Sequence, residues 1–196
     1  MEKDKIEYYN MFEQKLEENL VRMCSGLGML DGKILTTEDL DMKWKEIAPE
    51  YMADAVKEIN SFPEAAIGWA GYIGMAVAKF WDEDWGKHHS VTYKDFYGKR
   101  GFDDMDDNIM ENILGYSLAS TEAGMITRML MACCQSAIGA IRHENIEPSS
   151  IDAFHILARA TKVLYRIGLA MELKRLGYKI QKLDLNSMVS NKKYNN

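Results

Sequence analysis

Proline and cysteine are both scarce in this 196-residue chain, at three residues each, and histidine occurs four times. The prolines stand at positions 49, 63 and 148, each near the start of a predicted helix, where an all-helical chain tolerates a residue without a backbone N–H. Cys24, Cys133 and Cys134 form neither a CxxC pair nor a Cys/His spacing suited to zinc, which excludes zinc ribbons and thioredoxin-type motifs. They read as reduced thiols of a cytoplasmic protein, with Cys133 and Cys134 as small core residues rather than a redox pair. Positive charge is also lacking: a net charge of -6 argues against nucleic-acid binding, which needs a clustered positive surface. The segment MEKDKIEYYN has no apolar core, so no secretory signal is expected.

Several catalytic signatures are missing too. There is no GxxxxGK[ST], GxGxxG, HExxH or GxSxG, and no His-Asp doublet of the helical phosphohydrolase kind. A di-iron bundle site wants two Glu-x-x-His pairs plus two further glutamates, and here only the weaker Asp152 and His155 pair stands at that spacing. The uncharged run between Glu64 and Lys79 is shorter than the roughly 20 residues that a bilayer demands, so no membrane span is expected.

What the chain does contain is helical periodicity. With 47% hydrophobic and 28% charged residues it has an ordinary soluble composition and the length of one domain. From Lys5 to Leu27, Ile6, Tyr9, Phe12, Leu16, Leu20, Met23 and Leu27 recur at steps of three and four, predicting an amphipathic outer helix closed by Gly26 and Gly28. Thr36 to Asp39 open a short helix through Lys45, and Pro49 opens another to Ile59. The stretch 61–85 then reads as a buried central helix. Ser61 and Glu64 are placed to cap it, Pro63 fits its first turn, and Gly86 stops it. Ala66, Ala70, Gly74 and Ala78 recur at every fourth position, leaving a bare ridge for a close neighbour. After a connection in which Ser90 or Thr92 caps a short helix closed by Gly98, one long helix is expected over 104–143, kinked at Gly115 or Gly124. Its own small residues (Gly115, Ala119, Ala123, Ala132, Ser136, Ala140) make it the expected close neighbour of the central helix. Pro148 and Ser149 open a last helix that ends at Gly177; beyond it lies a polar tail in which Tyr178 to Leu185 can pack back as a strap.

Candidate sites follow from charges in apolar company. On the last helix, His155, Arg159, Lys162 and Arg166 recur at steps of four, three and four, a strip that is either a solvated face or a cationic wall for an anionic ligand or an acidic helix. Glu122 falls among Gly115, Leu118, Met125 and Met129, predicting a partly buried carboxylate that meets Arg159 or His155 as a structural or functional pair. Two acidic clusters, Asp82 to Asp84 and Asp103 to Asp107, are the candidate ligands for Mg²⁺, with Asp82, Asp84, Asp103 and Asp107 as the named carboxylates. Lys99 and Arg100 lie nearby as phosphate contacts. His88 and His89 are adjacent and cannot share one helix face, so plain exposure is expected of them.

The sequence therefore predicts an all-α helical bundle over residues 1–177, with about four long helices and two or three short ones, and a tail at 178–196. Its expected function is that of a non-catalytic helical interaction protein that forms a homodimer or binds another protein. Fourteen methionines supply an adaptable apolar surface for such contacts. The alternative is an enzyme or small anionic-ligand binder built on the Glu122, His155 and Arg159 cluster or on the acidic clusters.

Overall fold

A computed structural model describes residues 2–179, and among these the regular structure is helical, with no strand. Six α-helices follow in order: α1 (Glu2–Gly26), α2 (Glu38–Glu58), α3 (Pro63–His88), α4 (Met105–Asn108), α5 (Thr121–His143) and α6 (Ile151–Arg175). One continuous apolar core draws on all of them. Residues 180–196 of the expected tail lie outside the described residues, but Tyr178 does pack back: its hydroxyl donates to Asp82 at 2.8 Å and its ring meets Trp81.

The inner pair is α3 and α6. A methyl group added at Gly168 would fall 2.7 Å from the carbonyl carbon of Gly71 and 2.9 Å from its Cα; one added at Gly74 would fall 2.8 Å from the Leu169 nitrogen. The two backbones touch where glycine meets glycine, a separation that any larger residue would prevent. The expected partner, the segment 121–143 of α5, lies on a neighbouring face of α3. There Gly68 receives the Cys134 sulfur and Gly71 receives Leu130. Small-residue packing against that helix is thus present, but the closest approach belongs to α6.

Three helix boundaries differ from the sequence expectation. First, 36–59 holds one helix rather than two: α2 continues through Pro49, which is exposed, so that the carbonyl it leaves without a donor can turn to water. Second, the predicted helix 104–143 is broken. The chain passes from α4 into a π-helical turn, Ile109–Ile113, and Gly115 at φ 78° turns it out of the helix before Ser120 restarts α5 by accepting from the Ala123 N–H at 3.1 Å. Third, Ser61 does not cap α3. Phe62 occupies that position without a side-chain bond, and Pro63 alone marks the start. At the other end Asp84 is extended (φ -169°), and its carboxylate accepts from the Lys87 N–H at 3.2 Å, so a further turn forms past Gly86.

Other features follow the expectation. Thr92 and Asp95 form a capping box on the short 3-10 helix Tyr93–Phe96. Ser150, next to the predicted Ser149, caps α6 by accepting from Ala153, and Gly177 at φ 96° ends it. α1 buries Tyr9, Phe12, Leu16, Leu20 and Cys24, whereas Ile6 and Leu27 at its ends stay exposed. Tyr51 ties α2 to α3: its buried hydroxyl donates to the Ala66 carbonyl at 3.0 Å and accepts from the Ala70 N–H at 2.9 Å, so it sits between the two ends of one helical turn. By length and composition α5 could cross a membrane; in this fold it packs against α1, α3 and α6.

Candidate functional site

The cationic strip of α6 faces α1. Arg159 and Lys162 both reach Glu13 at 2.5 Å, and Arg166 bonds Glu17 while standing 3.4 Å from Asp41 of α2. Further down, Lys5 and Tyr9 both donate to Asp152, and the Tyr9 ring stacks on His155 with centroids 4.8 Å apart. Partners rise together along both helices, so α1 and α6 run parallel. Burial pushes the Glu13 carboxyl up, but the hydrogen bonds from Lys162 and Arg159 outweigh it and hold the group below its ordinary range. Asp152 is likewise held low, first by Tyr9 and then by Lys5. Of the sequence alternatives for this strip, an acidic helix is what it meets, and that helix belongs to the same chain.

Glu122 is not part of this arrangement. It is exposed in the first turn of α5, where an acidic residue complements the helix dipole; of the partners expected for it, Arg159 is held by Glu13 and His155 stacks on Tyr9. The expectation of a buried Glu122 paired with Arg159 or His155 is corrected accordingly. It rested on a continuous helix through Gly115, and the break there rotates Glu122 out of the register assumed.

The acidic clusters are satisfied locally. Asp82 accepts from Tyr178, Glu83 pairs with Lys79 at 3.1 Å, and Asp84 caps the last turn of α3. In the second cluster Asp104 accepts from the Arg100 N–H at 2.9 Å, while Asp103 and Asp107 are exposed. Asp106 is the unusual member, half-buried, with its carboxyl pushed up to about 6 by burial and by Asp107. Among the described residues no three His, Cys, Asp or Glu side chains come together in a way that could hold a metal ion. His88 stacks on Phe80, and the His89 Nδ1 lies against the carbonyls of Trp85 and Gly86 at the end of α3.

Beside the cationic strip, a cleft of about 1100 Å³ opens between α6 and α2. Its floor is apolar and partly small: Trp44, Ala48, Met52, Val56, Phe154 and Ala158. Asp41 and Lys45 of α2 and Arg159, Lys162 and Arg166 of α6 stand along its rim. Val56 and Phe154, each 44% exposed, also line a second cavity of about 750 Å³ that continues the cleft toward Ile141, Ile146 and Leu157. Two large apolar side chains thus stay open to solvent in one shared trough. Sequence reasoning found the α6 half of the rim but missed Glu13, Glu17 and the α2 wall. The available signal was Glu13 and Glu17, one turn apart on the side of α1 next to Phe12 and Leu16.

No protein-family model matches this chain, and neither the curated proteins nor the solved structures offer a match to it.

Proposed function

We propose that this chain is a non-catalytic, cytoplasmic helical interaction protein that works through the cleft between α2 and α6. The observation that carries the reading is the composition of that cleft: an apolar floor thinned by Ala48 and Ala158, which admits a helix backbone, under a rim of charged side chains. The occupant we favour is a helix from a second copy of the chain. Glu7, Met11, Lys15 and Glu18 follow one exposed meridian of α1, offering Met11, with Glu7 and Lys15 on either side of it, to the apolar floor of the trough.

A small-anion reading of the α6 strip has less support, because Glu13 and Glu17 already neutralise its cations and a ligand would have to displace them. A divalent-cation reading of the acidic clusters has less support for the same reason, since Asp82, Asp84 and Asp104 are engaged by neighbours. Sedimentation equilibrium across the micromolar range tests the proposal. The expected result is a concentration-dependent dimer that Val56→Glu and Phe154→Glu convert to a monomer with unchanged helical circular dichroism. A wild-type monomer at every concentration, or a dimer indifferent to both substitutions, refutes it.

A further inference from the structure

Two of the three thiols meet, although they lie 109 residues apart in sequence. The Cys24 sulfur, in the last turns of α1, is 3.4 Å from the Cys133 sulfur in the middle of α5, and the Met129 sulfur is 3.9 Å from Cys24. Both thiols are fully buried. A separation of 3.4 Å is inside the ordinary contact of two sulfur atoms, and a disulfide requires them to close to about 2 Å. We propose that Cys24 and Cys133 form a two-electron oxidation site, which a small hydroperoxide converts to a disulfide joining α1 to α5.

The two sulfurs are not equivalent. The hydrogen bond between the two sulfurs holds the Cys24 thiol below its ordinary value in spite of burial; the same bond, with burial, pushes Cys133 far up. Cys24 is therefore the attacking thiolate and Cys133 the thiol that keeps its proton until the second step. In the first step Cys24 gives up its proton and the thiolate sulfur attacks one peroxide oxygen; the O–O bond breaks, and the departing oxygen takes up that proton and leaves as water, giving a sulfenic acid. In the second, the Cys133 sulfur attacks the Cys24 sulfur, the S–O bond breaks, and hydroxide leaves as water with the Cys133 proton. Two thiols and one hydrogen peroxide become one disulfide and two waters.

Access comes from the position of Cys24 near a helix end. Its carbonyl accepts from the Met29 and Leu30 N–H groups in the turn that closes α1, and opening of this turn is the route by which the hydroperoxide would reach the sulfur. Cys134 supplies an internal contrast. Its thiol points to the other side of α5, donates to the Glu64 carbonyl at 3.5 Å and rests on Gly68, with burial pushing it up to about 12.

The test is to titrate the native full chain with hydrogen peroxide, unfold it in alkylating reagent, count free thiols and map the linked peptides. The expected result is a fall from three free thiols to one, a mass lower by two hydrogen atoms, a linked peptide pair carrying Cys24 and Cys133, and full reversal by dithiothreitol. Cys134→Ser should oxidise as the wild type does, and Cys133→Ser should stop at a Cys24 sulfenic acid that dimedone traps. Three surviving thiols, a link that includes Cys134, or a link between chains overturns the proposal. If Cys133→Ser fails to fold, the wild-type map and Cys134→Ser decide the matter alone.

Discussion

Replacing Gly168 by alanine should be one of the most damaging single-methyl changes in this protein. The new carbon would sit 2.7 Å from the Gly71 carbonyl carbon and 2.9 Å from its Cα, against an ordinary carbon contact of about 3.5–4.0 Å, so α3 and α6 must part by about 1 Å. The atoms in the way are backbone and cannot rotate aside. Overpacking of this kind costs about 1–3 kcal/mol, and we take the upper end because both helices must shift as bodies. Alanine returns about 1 kcal/mol through its better helix propensity, leaving a net loss of about 2 kcal/mol. Gly139→Ala is the matched control: nothing lies within 4 Å of the methyl it would add, so the propensity gain of up to about 1 kcal/mol should appear undiminished. Urea unfolding followed by circular dichroism resolves a difference of about 3 kcal/mol between the two variants, a shift of roughly 1 M or more in midpoint. A Gly168→Ala protein as stable as wild type would mean that the α3 and α6 backbones are not in contact.

Three further outcomes are expected. Tyr51→Phe removes the hydroxyl held between Ala66 and Ala70 and should cost about 1–3 kcal/mol in chemical denaturation, since it strands buried polar groups on α3. Glu13→Gln should cost about 1–2 kcal/mol at neutral pH, whereas Glu122→Gln, on an exposed first turn, should stay within about 0.5 kcal/mol of wild type. Because the Glu13 carboxyl is held low in the fold, its contribution is fully present above its ordinary value of 4.5 and is lost as pH falls through the folded value, so the two curves should converge in acid. Asp106 should show the opposite sign. Its carboxyl is raised from 3.8 to about 6, so its ionisation destabilises the fold progressively between those values; Asp106→Asn should raise the melting temperature at pH 7 and do nothing near pH 4.

Much of the architecture was legible because helical periodicity is a local signal. The α1 stripe, the uncharged body of α3, the Thr92 cap and the serine start of α6 could each be read from neighbouring residues. Two misreadings have one cause, the treatment of glycine and proline as counts rather than positions. Pro49 looked like a helix start, but on an exposed face a helix carries it through. Gly115 looked like part of a small-residue ridge, but its positive φ ends a π-helical turn, and Ser120 with Glu122 is a second helix start. The partner of α3 was misjudged in the same way: α5 has more small residues, yet a single glycine at 168, opposite Gly71, lets α6 come closer. The cationic strip was visible, but its partners Glu13 and Glu17 lie more than a hundred residues away in sequence, and their place beside Phe12 and Leu16 marks them as half-buried without saying which helix they meet. The thiol pair escaped for the same reason, since adjacent Cys133 and Cys134 drew attention away from Cys24.

The parallel seating of α1 against α6 has a consequence for the order in which the molecule is made. The ions joining the two helices are separated by up to 149 residues, and the glycine contact between α3 and α6 also waits for the last helix. At a synthesis rate of about 5–20 residues per second, α1 spends roughly 7–30 seconds outside the ribosome before its α6 partners follow, with Glu13 and Glu17 unpaired. Long-range closure of this kind is slow for a helical protein. The nascent chain therefore displays an acidic amphipathic helix well before α6 arrives to cover it, and that interval is when a chaperone has the most to hold.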